Sequence, residues 1–266
     1  MPANSDQCDL LIMFATTTEK EQLRDVANSM GIAFVENRDR DLGRYYVLGN
    51  LGSYRVNAIR SELGTFGYNG AASKTMRSIS RFKATSIVQY GMAFGTIPRI
   101  QGLGDVLVSS SLFTYDNRRV YTPGNPKKPG NRRYRTDYSA NIGYPASLSL
   151  LNLFGSASGI ASEDYRVFTG IMLSGGAKIQ SARYRNELVR AVPGGDSRVV
   201  GGEMEACGLL SVCEPKRPIW IVVKGISDFA DENRNRVIEK SRILACRNAA
   251  EFILSALRHS SDNYRI

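Results

Sequence analysis

The stretch Val222–Arg236, VVKGISDFADENRNR, leaves an apolar run through Gly225 and at once presents Ser227 and Asp228, with Lys224 just before the glycine. A carboxylate at such a point can move a proton or hold a polar ligand, although an aspartate that follows a strand more commonly caps or braces the next turn. Two further carboxylate clusters stand out: Glu203 and Glu205 in GGEMEACG, and Glu19 and Glu21 in TTTEKE. Their bland readings are acids in the first turn of a helix, where they complement the macrodipole. The lone histidine, His259, excludes histidine triads and histidine metal clusters. Cys8, Cys207, Cys213 and Cys246 form no CxxC pair and read as reduced thiols.

Elements must bring these carboxylates together. CDLLIMFAT (8–16) reads as a buried strand, and TEKEQLRDVANSMG as a helix that opens on threonine and closes at Gly31. RYYVLGN and YRVNAIR flank Leu51-Gly52-Ser53 as a hairpin. Residues 69–82 read as a helix, TSIVQYG (85–91) as a buried strand, GMAFG as a glycine-rich turn and GDVLVSSSLF as another strand. A long loop rich in proline, glycine and basic residues runs to about Asp137, followed by a strand and turn in YRVFTGIMLSGG (165–176). GGEMEACGLLSVC (201–213) reads as a helix and PIWIVVKGIS as a strand. The last helix, over 235–258, carries Val237, Ile238, Leu244, Ala245, Ala249, Phe252 and Ala256 on one face.

Strands alternating with helices argue for a three-layer α/β sandwich with a central mixed sheet flanked by helices. The 266 residues, 42% hydrophobic and without a linker tract, fit one domain over 1–266 with a basic loop insertion at about 115–137. Ligands of open α/β sheets bind beyond the strands' carboxyl ends, and four candidate ends present themselves: Ala15–Glu19, Gly91–Gly95, Ser174–Ile179 and Lys224–Asp228. The longest apolar runs, LLIMFA and IWIVV, fall far short of a bilayer span, and the first ten residues lack the pattern of a secretory signal, so the expectation is a cytoplasmic protein without a membrane. A net charge of +10 points to an anionic partner without choosing one.

GGEMEACG followed by VVKGISDFAD resembles the superfamily of purine nucleoside phosphorylases and methylthioadenosine/S-adenosylhomocysteine nucleosidases, in which an EMEA helix precedes a strand ending in SD. GMAFG…GDVLVS and LSGGAKI fall in the order of that family's glycine turn, following strand and purine-side turn, so the resemblance runs from Leu10 to Arg258. It implies cleavage of a purine N-glycosidic bond, with adenine as the expected base. That reaction develops positive charge on the ribose and negative charge on the departing base, so it rewards a proton donor at the purine and polar anchors on the sugar. Asp228 then resembles the acid that serves purine N7, with Ser227 orienting it. Glu205 resembles the acceptor of both ribose hydroxyls and Met204 the methionine packed on the sugar, while Glu203 keeps the bland role. Glu19 matches the position that activates water, and Glu21 competes with it.

Departures from the family pattern sharpen the expectation. Phosphorylases of the superfamily hold phosphate with a glycine-aspartate-proline loop and a serine after the central strand. Here the first loop is FATTTEKE, and Met92, followed by Ala93, takes the serine's place, which favours water. Lys178 replaces an adenine-stacking phenylalanine, Ile179 offers its backbone to the purine edge, and Lys224 replaces an arginine, all three expected at the substrate. In the basic loop Arg118, Arg119, Arg132 and Arg133 suit the phosphates of a nucleotide, since guanidinium forks match phosphate oxygens. The loop and GMAFG also resemble phosphorylase-superfamily effectors of bacterial anti-phage operons. The implied partners are a purine nucleoside or nucleotide and further copies of the chain, as a dimer or trimer of dimers, with a cyclic nucleotide as a candidate activator. No metal or organic cofactor is implied, and nucleic acid is not expected, because stacking aromatics are sparse among the basic residues. The alternatives kept open are a phosphate-dependent phosphorylase and a non-catalytic nucleotide-binding module.

Overall fold

A computed structural model of the chain describes residues 7–122, 134–138, 143–160, 162–213 and 218–260. The first half contains strand β1 (Leu10–Phe14), helix α1 (Thr17–Ser29), strands β2 (Val35–Asp39), β3 (Gly43–Leu51) and β4 (Tyr54–Arg60), helix α2 (Ala71–Phe82), and strands β5 (Ser86–Gly95) and β6 (Val106–Thr114). Three short strands follow, β7 (Arg119–Tyr121), β8 (Arg135–Asp137) and β9 (Gly143–Pro145), then helix α3 (Leu148–Ala157) and strand β10 (Val167–Ser174). The remainder is α4 (Ala182–Ala191), α5 (Gly195–Arg198), β11 (Val199–Glu203), α6 (Cys207–Leu210), β12 (Ile219–Asp228) and α7 (Arg234–Arg258).

The strands lie in the order β11-β10-β6-β12-β5-β1-β4-β3-β2, in a mixed sheet with helices packed on it. β12, β5, β1 and β4 run parallel to one another, while β6 opposes β12 and the β3–β4 hairpin is antiparallel. Gly201 and Gly202 also pair with Gly95 and Phe94, which joins β11, β10, β6, β12 and β5 into a closed circuit. β1, β5 and β12 are buried along nearly their whole length. That is why they read as continuous apolar runs rather than as alternating ones. Each fully buried Leu, Ile or Val there contributes about 1.5–3 kcal/mol relative to exposure.

α7 crosses directly over β12. Gly225 makes this possible, because a Cβ at that position would run into the backbone carbonyl of Ala245. Along α7, Ala245, Ala249, Phe252, Ile253 and Leu257 are buried. Leu244, expected on the apolar face, is 43% exposed and belongs to the outer side of the helix.

Two segments differ from the sequence reading. GMAFG is not a turn but the last part of β5, because Gly91 and Gly95 lack the side chains that would collide with Glu19 and Phe229 and so let the strand continue. The segment read as a helix from 201 onwards begins as strand β11, and only Cys207–Leu210 is helical. Side chains at Gly201 and Gly202 would strike Leu107 and Phe94, so close strand packing holds the start of this segment extended up to Glu203. β2 was hidden by its charged sequence, VENRD, which pairs at the sheet edge with β3. The described part of the basic loop contributes the β7–β8 pair.

Candidate active site

Of the carboxylates singled out above, Glu19, Glu203, Glu205 and Asp228 meet at one cavity of about 290 Å³, close to the lower end of small-molecule sites, while Glu21 does not line it. Glu19 enters it from the start of α1, Met92 and Ala93 from β5, Lys178 and Ile179 from the turn after β10, Met204 and Glu205 from the bend after β11, and Ser227 and Asp228 from the end of β12. Most of these residues sit in or directly after strands of the sheet, so the side chains start from rigid supports.

Asp228 is buried and held from three sides. Its Oδ2 accepts from Ser227 Oγ at 2.9 Å and lies 3.3 Å from Arg234 Nε, and its Oδ1 accepts from Ala230 N at 2.9 Å. Ser227 is itself oriented, lying 3.2 Å from the carbonyl of Ala93. The turn-bracing role open to any aspartate after a strand is therefore real, through Ala230, and leaves the carboxylate facing the cavity.

Beside it stands a buried ion triplet. Lys224 Nζ donates to Glu203 Oε2 at 2.9 Å and to Glu205 Oε2 at 2.7 Å, and the lysine side chain is 1% exposed. Lys224 does not line the cavity; it is consumed beneath it, which corrects the expectation that it touches substrate. Glu203 does more than complement a helix dipole, for it takes the backbone N–H groups of Glu205 and Ala206 and so shapes the bend that delivers Glu205. Burial pushes the Glu203 carboxyl upward, but Lys224 and the hydrogen bonds from Ser174, Lys224 and Glu205 outweigh it and hold the group below the usual glutamate range. Glu205 goes the other way: burial raises it, and Glu203 and Glu19 nearby add to that rise, so the pull of Lys224 does not bring it back. Burial alone would lower Lys224, yet the surrounding Glu203, Glu205 and Glu19 raise it above its ordinary value.

Glu19 is the N3 residue of a capping box. Thr16 Oγ accepts from Glu19 N at 3.2 Å, and Glu19 Oε2 accepts from Ala15 N and Thr16 N at 2.7 Å each. Its Oε1 reaches across to accept from Met92 N at 3.2 Å. Gly91, at φ +145°, leaves the space for this, since a Cβ there would overlap Glu19 Oε1. The helix-start role and the cavity-facing role therefore belong to the same carboxylate, which is 2% exposed rather than solvated.

Arg118 and Arg119 lie away from this cavity. Arg118 Nη1 is 3.3 Å from Tyr184 Oη, and the Arg119 guanidinium lies over the Tyr121 ring. Arg132 and Arg133 fall outside the described residues. The cations that do line the cavity with Lys178 are Arg234 and Arg242, on α7. The reading of single motifs missed them, although with Ile238 they repeat every four residues and so fall on one helix face. Burial pushes the nearby Cys207 thiol up to about 12, so it supplies no thiolate at neutral pH. Among the described residues no cluster of three or more His, Cys, Asp or Glu side chains is arranged to hold a metal ion.

Fold and site together define an α/β protein whose small-molecule cavity is built from carboxylates at strand ends. The model of the phosphorylase superfamily matches residues 10–258, and the chain belongs to that superfamily. It is 27% identical to a death domain-containing ATP nucleosidase of Amphimedon queenslandica over 79% of this chain, and it spans 41% of that protein's length. It is 22% identical to the 5′-methylthioadenosine/S-adenosylhomocysteine nucleosidase of Buchnera aphidicola, covering 83% of this chain and 92% of the relative. The corresponding nucleosidase of Neisseria meningitidis, solved with methylthio-immucillin-A, superposes with a TM-score of 0.72 at 20% identity, over 94% of this chain and 99% of the other. At that identity the likeness is one of fold.

Proposed function

We propose that this chain is an N-ribosyl hydrolase that cleaves the N-glycosidic bond of an adenine nucleoside or nucleotide. In this reading the N9–C1′ bond breaks and a C1′–O bond forms to water. Glu19 receives the water's proton, Asp228 supplies the proton or hydrogen bond that the departing purine needs at N7, and Glu205 accepts from the ribose hydroxyls. Met204 packs on the sugar, and Ile179 and Lys178 border the base. Nucleosidase relatives support the reaction class. The observation that carries the choice of water over phosphate is the pairing of Glu19 Oε1 with Met92 N. The backbone donor of β5 that a phosphate nucleophile would require is already spent on a carboxylate, and a carboxylate beside it would repel phosphate.

The test is chromatography of the protein incubated with adenosine, methylthioadenosine, AMP, ATP and NAD in phosphate-free buffer, with and without cyclic dinucleotides. Free adenine with an unphosphorylated C1′ is the expected product. Absence of adenine from every substrate sinks the proposal, and strict dependence on inorganic phosphate with ribose-1-phosphate as product replaces it with phosphorolysis. A physiological role in nucleotide depletion after phage infection, in a homo-oligomer, belongs to the same reading and rests on the resemblance to anti-phage effectors. Its signature is a fall in cellular adenine nucleotides on expression of the chain, and no fall with Asp228→Asn.

A further inference from the structure

One wall of the cavity carries a charge that the roles above leave unused. Arg234, Ile238 and Arg242 follow one another at four-residue spacing along α7, and all three line the cavity. Arg234, at the start of this stripe, is engaged with Asp228 at 3.3 Å. Arg242 lies two turns further on, about 12 Å along the helix axis at 1.5 Å per residue. It makes no hydrogen bond or ion pair with any of the described residues.

The far end of the stripe is the Glu19 end. Cys246, one turn beyond Arg242, offers its carbonyl 2.9 Å from Tyr90 Oη, and the same hydroxyl lies 3.1 Å from the carbonyl of Glu19. The stripe therefore runs from the carboxylate assigned to the base to the one assigned to the ribose carbon. A nucleoside laid along it with its base at Asp228 and its 2′ and 3′ hydroxyls at Glu205 turns C5′ away from the diol anchor, toward the α7 wall. Beside Glu19 the charge is carried by Glu205, while Thr16, Leu63 and Ile238 in the lining are uncharged. A phosphate placed there without a cation would meet repulsion from both glutamates. A guanidinium with no partner among the described residues offers it a fork of donors, whereas a 5′ hydroxyl or thioether gains little from desolvating an arginine.

We propose that Arg242 is the residue that reads a 5′-phosphate, so that the substrates of this site are 5′-phosphorylated adenine nucleotides rather than unmodified or 5′-thio nucleosides. The proposal rests on the nucleosidase reading for the direction of the bound nucleoside, and it moves phosphate recognition from the basic loop to α7. Binding tests it without turnover. In an Asp228→Asn background, titration calorimetry with AMP and with adenosine gives the ratio of the two affinities. Arg242→Ala should lower that ratio about tenfold or more, the usual loss when a charge-assisted hydrogen bond is removed. Arg242→Glu should lower it further, and Arg242→Lys should retain part of it. An unchanged ratio in Arg242→Ala overturns the proposal, as does a background protein that binds adenosine as tightly as AMP or fails to bind AMP. The two readings fail separately. If the unmutated chain releases no adenine from any substrate while the ratio still falls, hydrolysis is lost and Arg242 stands; if adenine is released and the ratio does not move, Arg242 is lost and hydrolysis stands.

Discussion

Two carboxylates and one lysine carry the predictions at the residue scale. Asp228→Asn keeps the hydrogen-bonding shape but removes the acid that the proposed mechanism offers the purine, so kcat for adenine release should fall by about 10²–10⁴, with the circular dichroism spectrum unchanged. Lys224→Met leaves two glutamates facing each other without compensation in a buried site. A loss of about 3–5 kcal/mol is expected at neutral pH, read from urea midpoints. The sign follows from the charges: Lys224 is raised above its ordinary 10.5, so its contribution is intact throughout the neutral range and lost only as pH rises through the folded-state value. In the variant the penalty should shrink toward acid, because protonating the glutamates removes the uncompensated charge; a penalty independent of pH would contradict this. In the proposed mechanism Glu205 would accept ribose hydroxyls best when ionised, and its carboxyl is raised above the ordinary 4.5. The acid limb of kcat/KM should therefore lie above pH 4.5, and Glu205→Gln should remove that limb along with most of the rate.

Glycines decide how the elements meet. Gly91→Ala would drive a methyl group into Glu19 Oε1 at a backbone angle that side chains rarely adopt, so it should displace the carboxylate from Met92 N and lower kcat at least tenfold, while Gly31 and Gly43, with open space around them, do not bear on the site. Gly225→Ala would push α7 off β12 through the Ala245 carbonyl, and a destabilisation of about 1–3 kcal/mol is expected in thermal or urea unfolding. Both effects belong to close approaches between segments far apart in the chain. The same fact explains the two misread elements. EMEA has a helix-like pattern and GMAFG a turn-like one, but the pairing of Gly201 and Gly202 with Gly95 and Phe94 holds GMAFG and the GGE that opens the EMEA segment as strand, and Met204 and Glu205 follow in a bend. No local propensity encodes a neighbour that arrives from another part of the sheet.

Over the whole molecule, a net charge of +10 favours encounter with anions. If nucleotides are the substrates, KM for AMP should rise between low and physiological salt as the Debye length shrinks toward about 8 Å, whereas adenosine should be indifferent. Equal salt dependence for the two would argue against an electrostatic contribution to capture. No helix among the described residues is long and apolar enough to cross a membrane. The amino-acid order by itself determined the buried strands, the capped α1 and the long α7, because apolar runs, a threonine cap and helical spacing are local signals. It also marked Glu19, Glu205, Ser227 and Asp228, because motifs at strand ends keep their residue types adjacent in the chain. Only the tertiary structure decided that Lys224 is buried between Glu203 and Glu205, that Glu19 spans from its own helix cap to Met92, and that Arg234 and Arg242 rather than Arg118 and Arg119 face the cavity. Those outcomes depend on which distant segments pack together, and the cost of leaving a buried charge unpaired is set by the partner that packing supplies.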